Sequence, residues 1–332
     1  MKIGYLGTGS WGFCLASVLA GKGYKIISWT TKPELAKLLN EKKEHPLLPG
    51  NQIKGDIQFT TNLSEALKDA DIIIESVTSA GVRPVFEKVA DITHPKCPII
   101  LTSKGIEQNT GLILPEVVVQ VLGESCREQI GFLSGPGYAQ EVIKGLPTTV
   151  VGSAYEYSTM LRVCEIFSTP TFRVYPNMDI RGVAFGGALK NIIAIACGIS
   201  DGLELGYSSK AALMTRGLHE IRKLAIAEGC KGETLNGLSG MGDLCMTCSS
   251  VMSRNFRYGT LLTKGNTPQE AAAKIGMVVE GAYTCLAALQ LGKQLDISLP
   301  ITETVYKIIY EGMKPADAVK LLMQRTIKEE HL

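Results

Sequence analysis

Lys2-Ile3-Gly4-Tyr5-Leu6-Gly7-Thr8-Gly9-Ser10-Trp11-Gly12 constrains the architecture of this chain more than any other stretch. Lys2 to Leu6 has strand character, and Trp11 to Ala20 is helix-compatible. Between them Gly7, Gly9 and Gly12 satisfy the spacing G-x-G-x-x-G in the context that gives it meaning, a strand before and a helix after. Gly7 permits a tight turn, Gly9 lets backbone approach a pyrophosphate, and Gly12 allows the helix to pack closely on the strand. The helix N-terminus then offers unpaired N–H groups and partial positive charge to the phosphates. A glycine-rich turn without a ligand is the competing reading, and the strand–turn–helix context weighs against it. A dinucleotide is the expected ligand.

The same rhythm continues downstream. Strand candidates follow at Lys25 to Thr30, Ile57 to Thr61, Asp71 to Val77, Ile99 to Ser103, Ile130 to Leu133, Thr148 to Gly152 and Phe172 to Tyr175. Helix-compatible segments at Pro33 to Asn40, Leu63 to Lys68 and Val82 to Val89 separate the earlier ones. Continuous apolar runs such as Ile72-Ile73-Ile74 suit parallel strands covered on both faces. This predicts a doubly wound, Rossmann-like α/β sheet. After about residue 178 the strand signal ends. Helical patterns take over at Gly182 to Ile199, Ser209 to Glu228, Pro268 to Lys274, Glu280 to Leu291, Ile301 to Tyr310 and Pro315 to Met323. Gly229 reads as a helix stop, and Pro315 with Asp317 in the first turn as a helix start. At 332 residues two domains are the default. They are expected over 1–177 (dinucleotide-binding) and 178–332 (all-α, substrate-binding), packed together with a cleft between.

Composition removes several function classes. A net charge of +2, from 34 basic and 32 acidic residues, with no basic block, argues against a nucleic-acid partner. The start of the chain lacks a signal-peptide core and cleavage site, and the longest apolar stretch is broken by Lys190, so neither export nor a membrane span is expected. Nine scattered cysteines suit reduced thiols and a cytoplasmic location. Cys245-Met246-Thr247-Cys248 has C-x-x-C spacing, but no second pair lies at zinc-like distance. His45, His94, His219 and His331 are dispersed, and no metal is expected.

In a sheet of this kind, ligands lie beyond the carboxyl ends of the strands. Ser103-Lys104-Gly105 and Ser134-Gly135-Pro136-Gly137 end two of them, supplying a cation and small residues that permit close approach. The second strand ends in Ser28-Trp29-Thr30-Thr31-Lys32, without the carboxylate that would bind a ribose 2′-hydroxyl. With Lys32 nearby, NADP is at least as plausible as NAD, although Lys32 also reads as a solvated surface charge. In the helical half, Lys190 interrupts Gly186-Gly187-Ala188-Leu189-Lys190-Asn191-Ile192-Ile193. A buried ammonium needs partners, and burial makes lysine usable as an acid or base near neutrality. Snorkelling along apolar surface is the alternative. Asn191 could orient a bound oxygen. Gly240-Met241-Gly242-Asp243 and Ser253-Arg254-Asn255 also stand out. The arginine between Ser and Asn suits a phosphate, or else marks a helix boundary. Together these parts suggest a small phosphorylated substrate, a hydride donor on the sheet side and a lysine that passes a proton to a carbonyl oxygen.

Taken in order, these motifs resemble the bacterial-type NAD(P)-dependent glycerol-3-phosphate dehydrogenases over essentially the full length. The carriers include Gly7-Thr8-Gly9-Ser10-Trp11-Gly12, Leu47-Leu48-Pro49-Gly50, Ser103-Lys104-Gly105, Ser134-Gly135-Pro136, Gly187-Ala188-Leu189-Lys190-Asn191, Gly242-Asp243-Leu244, Ser253-Arg254-Asn255 and Val278-Val279-Glu280-Gly281. The helical half is also similar to the C-terminal domain of 6-phosphogluconate-type enzymes. The resemblance implies reduction of dihydroxyacetone phosphate to sn-glycerol 3-phosphate for phospholipid synthesis, with NAD or NADP, and is compatible with a homodimer. It implies Lys190 as general acid/base, Lys104 close to substrate and cofactor, and Asp243 holding the lysine or a substrate hydroxyl. Asn191 and Thr247 would support them, Gly135 would touch substrate, and Ser253, Arg254 and Asn255 would grip the phosphate. Ser10, Trp11, Ala139, Val278 and Glu280 match cofactor contacts, with Arg254 also near the cofactor. Four places depart from the pattern: Thr31 stands for an arginine, Gly137 for a serine, Val77-Thr78-Ser79 for Val-Pro-Ser, and the loop around Leu47 lacks the usual tyrosine.

Two other functions compete. A β-hydroxyacid dehydrogenase of the same architecture would act on an unphosphorylated semialdehyde, and Arg254 argues against it. A catalytically silent nucleotide sensor could dispense with Lys190 and Asp243, both of which are present.

Overall fold

In the computed structural model, residues 1–327, 329 and 330 are described; His331 lies outside the described residues. Eight strands form one sheet: β1 (Lys2–Leu6), β2 (Lys25–Trp29), β3 (Ile57–Thr60), β4 (Ile72–Glu75), β5 (Ile99–Leu101), β6 (Ile130–Ser134), β7 (Thr148–Ala154) and β8 (Phe172–Asn177). Their order is β3-β2-β1-β4-β5-β6-β7-β8, and every adjacent pair is parallel except β6 with β7. The first six strands make the doubly wound arrangement, and its switch point lies between β1 and β4. Parallel pairing follows from composition: Ile72, Ile73 and Ile74 are all buried, as strands covered by helices on both faces require. The antiparallel step at β7 was not legible, because Ser134 to Leu146 carries no tight hairpin signal. The helices Leu114–Leu122 and Tyr157–Phe167 were also missed by the sequence reading.

By internal packing the chain forms two compact units. The first comprises Met1–Glu107, Leu112–Gly187 and Cys230–Asp243; the second comprises Gln108–Gly111, Ala188–Gly229 and Leu244–Leu332. The core of the first gathers Ile3, Tyr5, Phe13, Leu15, Leu19 and Ile26, where the helix Ser10–Gly21 lies on the sheet. Among the described residues no strand follows Asn177.

Apart from Arg181, Lys190, Asn191 and Asp201, the helix Ile180–Gly202 carries apolar or small residues on every side, as buried helices do. Its length and composition would pass for a membrane span, but 94% of its most apolar window is buried inside the protein, which marks a core helix. Glycines let a neighbour come close. A Cβ on Gly198 would strike the Phe256 carbonyl, and one on Gly259 the Ile195 carbonyl, so Ile180–Gly202 and Arg254–Leu262 meet backbone to backbone. Helix Gly206–Ala227 stops before Gly229, whose φ of +80° suits a glycine, and Pro315 opens the helix Pro315–Met323. Within the second unit, Glu220 accepts from Ile301 N (2.6 Å), Thr302 N (3.1 Å) and Thr302 Oγ1 (3.0 Å), serving the first turn of helix Pro300–Tyr310.

Candidate active site

The loop from β1 into Ser10–Gly21 has the shape its glycines predict. Gly7 has φ +109°, and a Cβ there would lie 2.6 Å from the Ser76 carbonyl oxygen. A Cβ on Gly12 would run into the Gly7 carbonyl, so the helix sits directly on the loop. At Gly9 nothing lies within 4 Å of that position, which leaves the backbone open to a ligand. No side chain caps this helix at Gly9. An open backbone and an uncapped helix N-terminus fit a dinucleotide pyrophosphate. Ser10 and Trp11 stand in the first turn, and Gly137 lies against the Trp11 ring, where a Cβ would come within 3.2 Å. Ala139 opens the short helix Ala139–Val142 and is buried. Lys32 is exposed at the start of helix Pro33–Lys42.

His45 also belongs to this loop and was missed by the sequence reading. Its Nδ1 accepts from Leu47 N (3.1 Å), so the neutral ring carries its proton on Nε2, which donates to the Thr8 carbonyl (3.1 Å). Burial holds its pKa below the usual histidine range, in keeping with a neutral ring that pins the glycine loop. Thr8 is 37 residues away, so local patterning could not have found this contact.

At the strand ends of the first unit, Lys104 Nζ donates to the Gly135 carbonyl (3.0 Å) and to Asp243 Oδ2 (2.5 Å). Gly135 has φ +141°, and a Cβ there would press on Val150 Cα at 2.8 Å, so only glycine presents its carbonyl this way. Asp243 is fully buried and directly follows a π-helical turn, Leu238–Gly242, a feature enriched at functional sites. The Ser134 hydroxyl is buried without a hydrogen-bond partner, and it would lie 2.6 Å from a Cβ on Gly187.

In the second unit Lys190 is only 5% exposed, which rules out snorkelling. Its Nζ donates to Thr247 Oγ1 at 2.7 Å. Beside it, Asn191 Oδ1 accepts from Asn255 Nδ2 (3.0 Å), and Asn255 Oδ1 accepts from Gly281 N (2.9 Å). This chain of amides fixes Asn191 with its NH2 group available as a donor. Asn255 thus acts first on Asn191. Ser253 caps helix Arg254–Leu262, its Oγ accepting from Phe256 N at 3.2 Å, so the boundary reading of this tripeptide holds for Ser253. Arg254 is half-buried in the first turn. Burial draws its pKa down, and Glu280, at the start of helix Glu280–Gln294, opposes that. Val278 is exposed just before that helix.

Within the second unit, Lys190 on Ile180–Gly202 and Thr247 on Asp243–Cys248 meet side chain to side chain. All nine cysteines are free thiols. Among the described residues no three His, Cys, Asp or Glu side chains converge as a metal site.

Comparison with known proteins fits this arrangement. The N-terminal model of NAD-dependent glycerol-3-phosphate dehydrogenase matches residues 2–160, and the C-terminal model matches 179–320. The chain belongs to the NAD-dependent glycerol-3-phosphate dehydrogenase family. It is 68% identical over 331 residues to glycerol-3-phosphate dehydrogenase [NAD(P)+] of Protochlamydia amoebophila, covering 100% of this chain and 99% of the relative. The Chlamydia pneumoniae protein of the same name is 56% identical, covering 99% of each chain. The crystal structure of glycerol-3-phosphate dehydrogenase from Coxiella burnetii superposes with a TM-score of 0.93 at 36% identity, covering 98% of this chain and 99% of that one. Against the glycerol-3-phosphate dehydrogenase pattern, the departure at Gly137 has a physical counterpart here in its contact with Trp11.

Proposed function

We propose that this protein reduces dihydroxyacetone phosphate to sn-glycerol 3-phosphate with NADH or NADPH, reversibly, and so supplies glycerophospholipid synthesis. The observation that carries the reading is the buried Lys190 ammonium, held by Thr247 on a largely apolar helix. When bound at the glycine loop, the reduced nicotinamide supplies the hydride. Lys190 passes a proton to the substrate carbonyl oxygen, and Thr247 aims it. Asn191, oriented by Asn255, donates to a substrate oxygen. Arg254 binds the phosphate through its guanidinium fork, supported by Ser253. Lys104, held by Asp243 and Gly135, presents a second cation beside the strand ends and the cofactor. Ser10, Trp11, Ala139, Val278 and Glu280 line the cofactor. Lys32 is the candidate for a contact to a 2′-phosphate. Nine free thiols support a reducing, cytoplasmic setting.

The test is loss of absorbance from NADH and from NADPH when the purified protein is given dihydroxyacetone phosphate. Oxidation with that substrate, and none with an unphosphorylated semialdehyde, is the expected result; the reverse pattern overturns the reading. Running both cofactors side by side also reads the preference that Lys32 and Thr31 leave open.

A further inference from the structure

Glu75 ends β4 on the carboxyl edge of the sheet and is completely buried. Nothing in the glycine fingerprint or the proton-donor machinery uses it. Its Oε1 lies 2.6 Å from Ser103 Oγ and accepts from Val77 N at 2.5 Å, while Ser103 Oγ also lies 2.5 Å from the Val77 carbonyl. Two oxygen–oxygen contacts this short each need a proton between them. Ser103 owns one hydroxyl proton, and the Val77 carbonyl has none to give. The second must come from the carboxyl: Glu75 donates to Ser103, and Ser103 donates to Val77. The other carboxyl oxygen, Oε2, is buried without a hydrogen-bond partner, which an ionised carboxylate would tolerate badly.

We propose that Glu75 is a positioning residue that works as a protonated acid, tying the turn after β4 to the Ser103-Lys104-Gly105 turn and thereby aiming Lys104. The inference rests on the role given to Lys104 above. The two turns touch again where a Cβ on Gly105 would lie 2.5 Å from Ser79 Cβ, so Lys104 is flanked on both sides by contacts to the β4 turn. The β4 turn also abuts the cofactor loop, at Gly7 and Gly12 through Ser76. Loss of the Glu75 proton leaves Ser103 with two acceptors and one hydrogen, and one of the paired contacts must open.

The surroundings keep the titration with Glu75. From β1 faces Tyr5, whose hydroxyl bonds Ser76 Oγ (2.8 Å) and which burial keeps neutral; behind it Cys14, on helix Ser10–Gly21, is likewise pushed up by burial. From the turn after β5 face Thr102 and Ser103, and the cation that follows them, Lys104, is engaged by Gly135 and Asp243. Burial pushes Glu75 up to about 7, against the bonds that the Ser103 hydroxyl and the Val77, Ser103 and Thr102 backbone would give its ionised form.

Infrared titration of the intact protein tests this directly. Carbonyl bands of two buried protonated carboxyls, Glu75 and Glu220, are expected below neutrality, fading as pH rises through about 7; one of them is displaced in Ser103→Ala and missing from Glu75→Gln, while the Glu220 band stays in both. In kinetics, wild-type kcat/KM for dihydroxyacetone phosphate carries a descending limb with that midpoint. Glu75→Gln loses the limb, and so does the residual activity of Lys104→Met. No Ser103-sensitive acid band in the wild type, or a limb that persists in Glu75→Gln, overturns the proposal; if Glu75→Gln fails to fold, the wild-type and Ser103→Ala spectra still decide. A correct band with no reduction of dihydroxyacetone phosphate would instead sink the substrate reading and leave the protonated Glu75 standing.

Discussion

Lys190 is the residue where chemistry and stability pull apart. Its ammonium sits in a nearly all-apolar helix, and taking an ion out of water costs several kcal/mol that an apolar side chain of similar volume does not incur. Lys190→Met is therefore expected to leave the melting temperature unchanged or raised while kcat falls by about 10²–10⁴-fold, the usual worth of a general acid. Fluorescence titration with NADH should show cofactor binding near the wild-type level; a parallel loss of binding would mean that the lysine serves the cofactor. Ser253 and Arg254 divide differently. Ser253→Ala removes an N-cap and should cost about 1 kcal/mol in denaturant unfolding. Arg254→Ala should leave stability almost intact but raise the KM for dihydroxyacetone phosphate about 10–100-fold, as expected for losing a hydrogen bond to a charged group worth about 1.5–3 kcal/mol. Equal KM effects from an uncharged substrate would show that the guanidinium does not read the phosphate.

At the level of elements, the parallel strands and the long helices were legible because their signals are local. Ile72-Ile73-Ile74 announces a strand covered on both faces, and the glycines at 7, 9 and 12 announce the turn that follows β1. What escaped was set by distant partners. Glu75 reads as an ordinary strand-ending acid until Ser103, 28 residues on, is found beside it. The π-helical turn Leu238–Gly242 depends on a glycine whose Cβ would collide with the Leu235 carbonyl, a packing fact no periodicity contains. The candidate residues Lys104, Asp243, Lys190 and Arg254 could be picked out by type and context, but their pairing, Lys104 with Asp243 and Lys190 with Thr247, could not. Glu220 is a further case. It looks like a surface acid of an amphipathic helix, yet it supplies the acceptors for the opening turn of Pro300–Tyr310. Glu220→Ala leaves three donors without that acceptor and should cost about 3 kcal/mol or more, read from the urea midpoint. An unchanged midpoint would mean that water replaces the carboxylate there.

For the molecule as a whole, Glu75 and Glu220 set an unusual direction for stability against pH. Burial raises both from an ordinary carboxylate value to about 7 in the folded chain, and in Glu220 the bonds from Ile301 and Thr302 offset it only in part. Between about pH 4.3, where a glutamate titrates in the unfolded chain, and about 7, the folded state holds protons that the unfolded state has released. Unfolding then releases protons, so stability falls as pH rises through this window. The contribution is fully present below the unfolded value and lost once pH passes the folded one. Each proton contributes about 1.4 kcal/mol per pH unit inside the window. The surface ion pairs, such as Lys307–Glu303, act in the opposite direction on acidification but are exposed and individually weak. Measured by urea unfolding between pH 5 and 7, the double variant Glu75→Gln/Glu220→Gln should lack the decline seen in the wild type, since neither amide can ionise. Parallel slopes for the two proteins would mean that both carboxyls are ionised throughout, and would remove the protonated Glu75 along with this prediction.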